Sequence, residues 1–528
     1  MGLARFGPVV ATGGASWAMG AARYVEIERK YAVAMAVVLP TFGGTPGTSS
    51  GAPPAEIDLA AVYFDTAALD LLRHGVTLRR RTGGEDAGWH LKLPGGEDTR
   101  TEIRLPLGRA VKSVPTALLP HVRALVRDRP LSPVARLSTH RLEFTLLDDA
   151  GGVLATVCDD HVRSESLHDP VLVQEWREWE VELVGGSRSV LEAVEADLVH
   201  AGAEPAAAGS KLAHALGDAA PRAARTPSRQ SLARGSAAQL LLARVATHTA
   251  RLHRHDAGVR ADHPESVHKL RIAARRLRSA LLTYGPLVEA GAVEPLREEL
   301  RWLGQALGGA RDAKVLRDHL DLALTSQPAE WVVGPVRKRI DHELDRAADS
   351  GRAEGLRALD SHRYFRLLDD LDAFASSVPL TPRAQSPAKV VVPDLLQRDA
   401  KRLRRAVLTM RSTMDSHQHD LAVHEVRKKA KRLRYAAESA VPVFGARASA
   451  LRASTTRIQE TLGRHQDAVV AQDALRGFAI QAHRNGEDTF TFGRLHALEQ
   501  QRAIRAELDF DHAWAKVPHR GLRRWIQR

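Results

Sequence analysis

The 528-residue sequence predicts a multidomain α+β protein: an antiparallel strand half followed by an all-α half of two pseudo-symmetric helical bundles. Three observations carry that expectation. Residues 23 to about 217 break into short runs of period-two alternation punctuated by Gly, Pro and Asp, the pattern of half-buried strands. From about 236 onward the apolar period changes to 3.6 and strand signals nearly vanish. Within that second half two motifs recur at almost one spacing. His268 and His424 stand 156 positions apart, and LGGARDAKVLRDHL (307–320) answers LGRHQDAVVAQDAL (462–475) at an offset of 155. Matched segments at one offset mean a duplicated helical unit, longer than solenoid repeats.

In chain order, residues 1–22 form a ragged leader. Their apolar run imitates a signal peptide but is interrupted by Thr12, Gly13 and Gly14, and Met19 offers a second start. The strand domain covers 23–217. Residues 218–235 read as a linker, with two prolines, four arginines and no apolar period over AAPRAARTPSRQSLARG. The helical domain covers 236–522, and a Pro/Ser-rich break at 377–393 divides it into repeats of about 236–376 and 394–522. The chain carries 76 Lys and Arg against 63 acids, a formal +13, which favours polyanionic partners. Aromatics at 5% and the lack of base-reading motifs argue against nucleic acid as that partner. No apolar run approaches the length of a membrane span. One cysteine, Cys158, permits no intramolecular disulfide, so a reducing cytoplasmic setting is the simplest expectation.

The strand half sorts its charges by face. YVEIERKYAV places Glu26, Glu28 and Lys30 on one side and Val25, Ile27, Arg29 and Tyr31 on the other. HGVTLRRRTGG groups Thr77, Arg79 and Arg81, and GWHLKLPG sets His90 and Lys92 against Trp89, Leu91 and Leu93. EWREWEVELVG puts Glu178, Glu180 and Glu182 against Trp179, Val181 and Leu183. Any one such strand reads well as a salt-bridged, solvated face. Taken together, acids cluster on two strands and cations on two others, and an antiparallel barrel with charges inward would convert that segregation into a site. Paired carboxylates suit hard divalent cations such as Mg²⁺ or Mn²⁺, and Arg and Lys suit a phosphate chain.

EIERK resembles the ExExK signature of the CYTH superfamily, the triphosphate tunnel metalloenzymes. The resemblance continues in order through AVYFDT, LRRRTGG, WHLKLPG, TEIR, WEVEL and the SKL at Ser210, over residues 24–216. It implies an eight-stranded antiparallel tunnel that hydrolyses triphosphates with a divalent metal. Glu26 and Glu28 match the signature acids and Glu180 and Glu182 the later acidic strand; with Asp159 they would hold metal. Lys30, Arg79, Arg81, Lys92, Arg141 and Lys211 would hold phosphates and, with Glu26 and Glu28, complete the catalytic set. Where the family often has Asp-x-Gly, this chain reads CDDHV, with Asp160 adjoining. Glu102 and Arg104 of TEIR could line the tunnel and receive no role.

The helical half repeats a cationic helix. On a helical wheel His268, Arg271, Arg275 and Arg278 share an arc, opposite Leu270, Ala273, Leu277 and Leu281. His424, Arg427, Lys431 and Arg434 reproduce it against Val426, Leu433 and Ala437. A solvated face is the plain reading. Yet like charges at this spacing cost about 0.2–0.5 kcal/mol per pair, and only Glu425 relieves them, so a bound polyanion is the better one. A histidine pair ligating metal is the alternative. An earlier stripe, Arg244, His248, Arg251 and His255, would extend the groove. The two VH..R..A.RLR helices and LGGARDAKVL resemble the CHAD domain, which implies two pseudo-symmetric bundles around a basic surface for inorganic polyphosphate. The eight stripe residues are the positions that carry over. Asp312 and Asp467 align and read as braces for the cations.

Together these readings give a divalent-metal-dependent inorganic triphosphatase joined to a polyphosphate-binding module. The alternatives are a non-catalytic polyphosphate-binding protein and a tunnel enzyme acting on an organic triphosphate, as an adenylate cyclase or a thiamine triphosphatase.

Overall fold

In the computed structural model the described residues are 22–517, apart from 43–48, 51–52, 97, 110–111, 170 and 222–226. The expected leader, up to residue 21, and the middle of the expected linker lie outside them. The chain divides into two compact units between Arg225 and Thr226.

The first unit contains ten strands: β1 (Ala22–Val33), β2 (Ser49–Ser50), β3 (Ala55–Asp65), β4 (Thr77–Thr82), β5 (Gly88–Pro94), β6 (Thr99–Leu105), β7 (Ser132–Leu147), β8 (Val153–Ser166), β9 (Val173–Leu183) and β10 (Glu204–Pro205). Eight of them close on themselves in the order β1-β6-β5-β4-β3-β7-β8-β9, every pairing antiparallel. The eight-stranded barrel is therefore as expected. β1 makes the seam, because Ala22–Ile27 pair with β6 while Glu28–Val33 pair with β9. The EIERK run sits across that closure.

Register then decides which face looks inward. Glu28 stands opposite Glu182, Lys30 opposite Glu180, Thr77 opposite Lys92 and Lys92 opposite Glu102, so these side chains share one face. The other face is apolar and lies outside, beneath short helices. Helix α1 (Asp70–Arg73) is followed by α2 (Leu119–Val126), which covers Leu78, Trp89, Leu91 and Ile103. Helix α3 (Arg188–His200) buries Leu191, Val194 and Leu198 on Tyr31, Trp179 and Val181. Helix α4 (Lys211–Leu216) seats Leu212, Ala215 and Leu216 on Leu137 and Trp176. The core thus surrounds the barrel and frees its lumen for charge.

The second unit is helical. A short helix, α5 (Arg229–Arg234), forms at the end of the stretch expected as a linker, capped by Ser228, whose hydroxyl accepts from the Ser231 N–H at 3.1 Å. The first repeat supplies α6 (Ala237–Arg260), α7 (Ser266–Tyr284), α8 (Glu294–Ala306), α9 (Gly308–Thr325), α10 (Val336–Leu359) and α11 (His362–Ser377). The second supplies α12 (Ala388–Ser412), α13 (Ser416–Phe444), α14 (Ala446–Arg484) and α15 (Phe490–Ala515). Helix α12 begins within the Pro/Ser-rich break and carries Pro393 inside it, because Val391, Val392, Leu395 and Leu396 form one buried helical stripe. The broken pair α8–α9 corresponds to the continuous α14.

The pseudo-twofold is visible in reciprocal contacts. Arg276 pairs with Glu438 at 3.2 Å, and Arg432, its repeat mate, donates to the carbonyl of Leu282, the mate of Glu438, at 2.9 Å. At the start of each repeat, the Ala237 N–H donates to Ser386 and the Ala388 N–H to Gly235, both at 3.0 Å.

Helices α9 and α10 meet backbone to backbone at Gly309 and Gly351; a Cβ on Gly351 would lie 2.3 Å from the Ala310 nitrogen. Gly351→Ala is expected to destabilise the helical unit by about 1–3 kcal/mol, as overpacking does, read as a lowered urea midpoint with unchanged slope.

Candidate functional site

The lumen holds an ion-pair lattice. Lys92 lies 2.6 Å from Glu26 and 3.5 Å from Glu28. Lys30 pairs with Glu180 and lies 3.5 Å from Glu28. Arg141 forks onto Asp160 with two bonds of 2.7 Å and reaches Glu180 at 3.0 Å. Lys211, at the start of α4, sits among Asp160, Glu178 and Glu180 at 2.8, 2.6 and 2.7 Å. Arg81 pairs with Asp86. Arg79, by contrast, ion-pairs with no carboxylate among the described residues; its guanidinium donates to the Tyr63 hydroxyl at 3.4 Å.

Burial splits the two signature acids. It raises Glu26 to about 7, with Lys92 opposing and Glu102 adding to the shift. Burial would raise Glu28 as well, but Lys30, Lys92 and Arg100 outweigh it and hold that carboxyl at about 2. Burial, then the neighbouring Arg79 and Arg141, press Arg81 down to about 9, a sign of crowded positive charge. Burial also raises the Cys158 thiol well above its ordinary range, so it supplies no thiolate nucleophile.

Of the expected lumen residues, Glu26, Glu28, Lys30, Arg79, Arg81, Lys92, Arg141, Glu180, Glu182 and Lys211 all line this one cavity. Asp159 does not. It points to the opposite face of β8, bonded to Arg177 at 2.8 and 2.6 Å, and Arg177 in turn donates to the Met35 carbonyl at 3.1 Å. Asp160 takes the inward place, because its Cα partners across the ladders are Arg141 and Glu178. The register of β8 was the missing information; in CDDHV either aspartate satisfies the alternation.

Five further residues join the lumen network beyond those expected: Arg100, Asp86, Glu102, Arg104 and His90. Arg100 reaches Glu28 at 3.1 Å and Arg104 reaches Glu26 at 3.0 Å. Buried Glu102 is braced by His90 at 3.0 Å, whose other nitrogen donates to the Asp86 carbonyl at 2.9 Å. Parity in TRTEIRL would have found Arg100, two residues before Glu102.

The carboxylates suit a divalent cation. Oxygens of Asp160, Glu178 and Glu180 lie within 4.8 Å of one another, all three residues buried, and Glu28 adjoins Glu182 across the seam. Hard oxygen donors without sulfur fit Mg²⁺ or Mn²⁺ in type, with Lys211 holding the place of positive charge among the first three.

In the helical unit, α7 and α13 cross, joined by Arg275 to the Tyr435 hydroxyl at 3.0 Å and Tyr284 to Ser439 at 2.7 Å. The crossing merges parts of the two stripes. Arg275, Arg427 and Lys431 repel one another, Arg434 lies 4.3 Å from the Tyr435 ring centroid, and Arg278 faces Arg297 and Arg301. No carboxylate ion-pairs with any of these five cations among the described residues. Arg271 differs: it binds Asp312 at 2.8 Å and passes over Gly308, as Arg427 passes over Gly463. Asp312 is thus a brace, as expected, and Asp467 acts on Arg427 electrostatically. His268 stands near Arg311 and Arg275, while His424 bonds to Gln466. Neither histidine belongs to a cluster of three metal-capable side chains among the described residues.

A closed tunnel with carboxylates and phosphate-suited cations, together with a duplicated cationic helix, defines a class: a triphosphate-tunnel domain joined to a histidine-helical domain. The family models agree. That of the CYTH domain matches residues 25–207 and that of the CHAD domain residues 243–476. Two curated relatives, both described as uncharacterized proteins of Mycobacterium tuberculosis (strains CDC 1551 / Oshkosh and ATCC 25618 / H37Rv), are 39% identical over 513 residues, 94% of this chain and 97% of theirs. The chain belongs with them to the family in which a CYTH domain precedes a CHAD domain. CYTH domains are those of triphosphate-tunnel hydrolases and cyclases, which depend on metal, and CHAD domains are linked to polyphosphate binding.

Among solved structures, PptA from Streptomyces chartreusis is similar at 23% identity and a TM-score of 0.45, covering 53% of this chain and 100% of that one. The CHAD domain from the plant Ricinus communis is similar at 25% and 0.44, covering 54% and 93%. HpAC1 from Hippeastrum, described as having a dominant triphosphatase activity, is similar at 18% and 0.22, covering 36% and 93%. No described helix is long and apolar enough to cross a membrane.

Burial, then Arg427 and Arg275, lower Lys431 to about 7. A lysine whose folded pKa lies below its unfolded value of 10.5 weakens the fold fully below pH 7, and that penalty fades as pH rises toward 10.5. Lys431→Met is therefore expected to melt higher than the native chain at pH 7. The difference should shrink by pH 10, as paired thermal denaturations would record.

Proposed function

We propose that the β tunnel hydrolyses a phosphoanhydride bond of inorganic triphosphate or polyphosphate, and that the helical unit binds polyphosphate. The observation that carries the reading is the charge balance of the two sites. Eight cations and six carboxylates line the tunnel, and Asp160 and Glu178 behind Lys211 bring the acids to eight. A balanced lumen suits a metal-bound, largely neutralised phosphate chain. The helical groove carries an excess of cations, five of them with no carboxylate ion pair among the described residues, and suits the bare polyanion.

When bound, the divalent cation, held by Glu26, Glu28, Glu180 and Glu182 with Asp160 behind, would polarise the phosphate oxygens. The remaining steps fall to the chain's own groups. Arg79, Arg81, Arg141 and Lys92 grip the phosphates and fix the anhydride in the lumen. Glu28, held ionised by Lys30, Lys92 and Arg100, orients the attacking water by accepting a hydrogen bond from it, and the proton that water loses passes to solvent. Water oxygen bonds to phosphorus and the bridging P–O bond breaks. The leaving phosphate keeps the electron pair, its charge met by the same cations. Covalent tethering to a polyphosphate-binding unit raises the local concentration of chains available to the tunnel.

Glu28→Ala is expected to retain tripolyphosphate binding by calorimetry while releasing no phosphate with Mg²⁺; wild-type-like release would reject the assignment. Tripolyphosphate, long polyphosphate, ATP and thiamine triphosphate should be offered in parallel with phosphate and cyclic nucleotide both measured. Turnover confined to the organic triphosphates would overturn the inorganic reading.

A further inference from the structure

Beside the α7–α13 crossing, on the α6 side, lies a second basic cluster, which joins three residues of the α6 stripe to Arg276 of α7. His248 is fully buried on α6, and neither ring nitrogen has a hydrogen-bond partner. Arg244 and Arg251 of the same helix and Arg276 of α7 surround it. The acid facing the cluster is Glu438 of α13, shared between Arg244 at 3.4 Å and Arg276 at 3.2 Å.

The internal symmetry shows what this place holds in the other repeat. The reciprocal backbone bonds Ala237–Ser386 and Ala388–Gly235 relate α6 to α12 by 151 positions, while α7 and α13 keep the offset of 156. His248 therefore maps onto Asp399, Arg251 onto Arg402 and Arg276 onto Arg432. Asp399 is buried and saturated: it accepts from Arg432 at 2.7 Å, Arg402 at 2.9 Å and Thr283 at 2.8 Å. The second repeat thus holds a built-in carboxylate where the first has the same two arginines around an unpartnered imidazole.

From this we propose that the cup formed by Arg244, His248, Arg251 and Arg276 binds a phosphoryl oxyanion, which takes the role that Asp399 plays in the other repeat. The neutral imidazole donates one N–H, the arginines supply the charge, and exposed Arg251 marks the open side. Orthophosphate and the terminal phosphoryl group of a polyphosphate chain share this chemistry. The cup adjoins the α7–α13 groove through Arg276 and Glu438 but uses none of the eight stripe residues.

The test uses the full chain, calorimetry and thermal shift at matched ionic strength, with orthophosphate in one arm and long polyphosphate in the other. Arg251→Gln, an exposed change that should fold, is expected to weaken orthophosphate binding about ten-fold, as loss of one charge-assisted bond does. His248→Asp, which copies the second repeat, should raise the melting temperature without phosphate and abolish the added stabilisation by orthophosphate. Arg427→Gln, in the groove, should weaken long polyphosphate more than orthophosphate. An effect of Arg251→Gln and His248→Asp confined to the polyphosphate arm would assign the cup to chain ends. Equal response of native chain, Arg251→Gln and His248→Asp in both arms would overturn the proposal, whatever Arg427→Gln does.

Discussion

Closing a sheet whose strands each carry one charged face puts all of those faces in the same confined space, and the rest of the first unit answers to that. A buried charge left alone costs several kcal/mol, so the cations of the lumen, Arg79 excepted, find acids across the seam or across the bore. Lys211 among three carboxylates and Lys92 between Glu26 and Glu28 are the result. The same closure sends the apolar faces outward, which is why helices α2, α3 and α4 wrap the barrel. Two tryptophans, Trp89 and Trp179, are fully buried on its outer wall.

The helical unit resolves charge the other way. Across the α7–α13 crossing, cations accumulate with aromatic and hydroxyl partners, and Asp467 offsets only part of the repulsion the fold carries there. Duplication gave both repeats this helix, but their surroundings diverged. Gly309 and Ala310 let α9 press against α10, whereas at the matching place Arg464 and His465 occur, and buried His465 reaches Glu507 of α15 at 3.0 Å. Asp399 and His248 diverged in the same manner, one repeat enclosing its own anion and the other leaving an imidazole.

Much of the candidate site was legible because alternation is a strict geometric rule: parity placed Glu26, Glu28, Lys30, Arg79, Arg81, Lys92, Glu180 and Glu182 on shared faces before any fold was known. Parity cannot choose between adjacent residues when both are aspartate: the resemblance points to Asp159, whereas the ladder selects Asp160. Nor does it show that Arg100 meets Glu28, since that contact spans β1 and β6 at the seam. In the helices the wheel found the stripes, but a wheel describes one helix. It placed His248 on an extension of the groove, whereas the packed helices bury it fully.

By itself the sequence determined the two-part architecture, the inward charged faces and the duplicated cationic helix, because periodicity of two or 3.6 is a property of local backbone geometry. Only the tertiary structure decided which aspartate enters the lumen, which cations remain without an ion pair, and where one repeat sets an imidazole in the place of its mate's carboxylate. Those outcomes depend on strand register and helix crossing, which bring together side chains more than 100 positions apart, as in the pairing of Arg276 with Glu438.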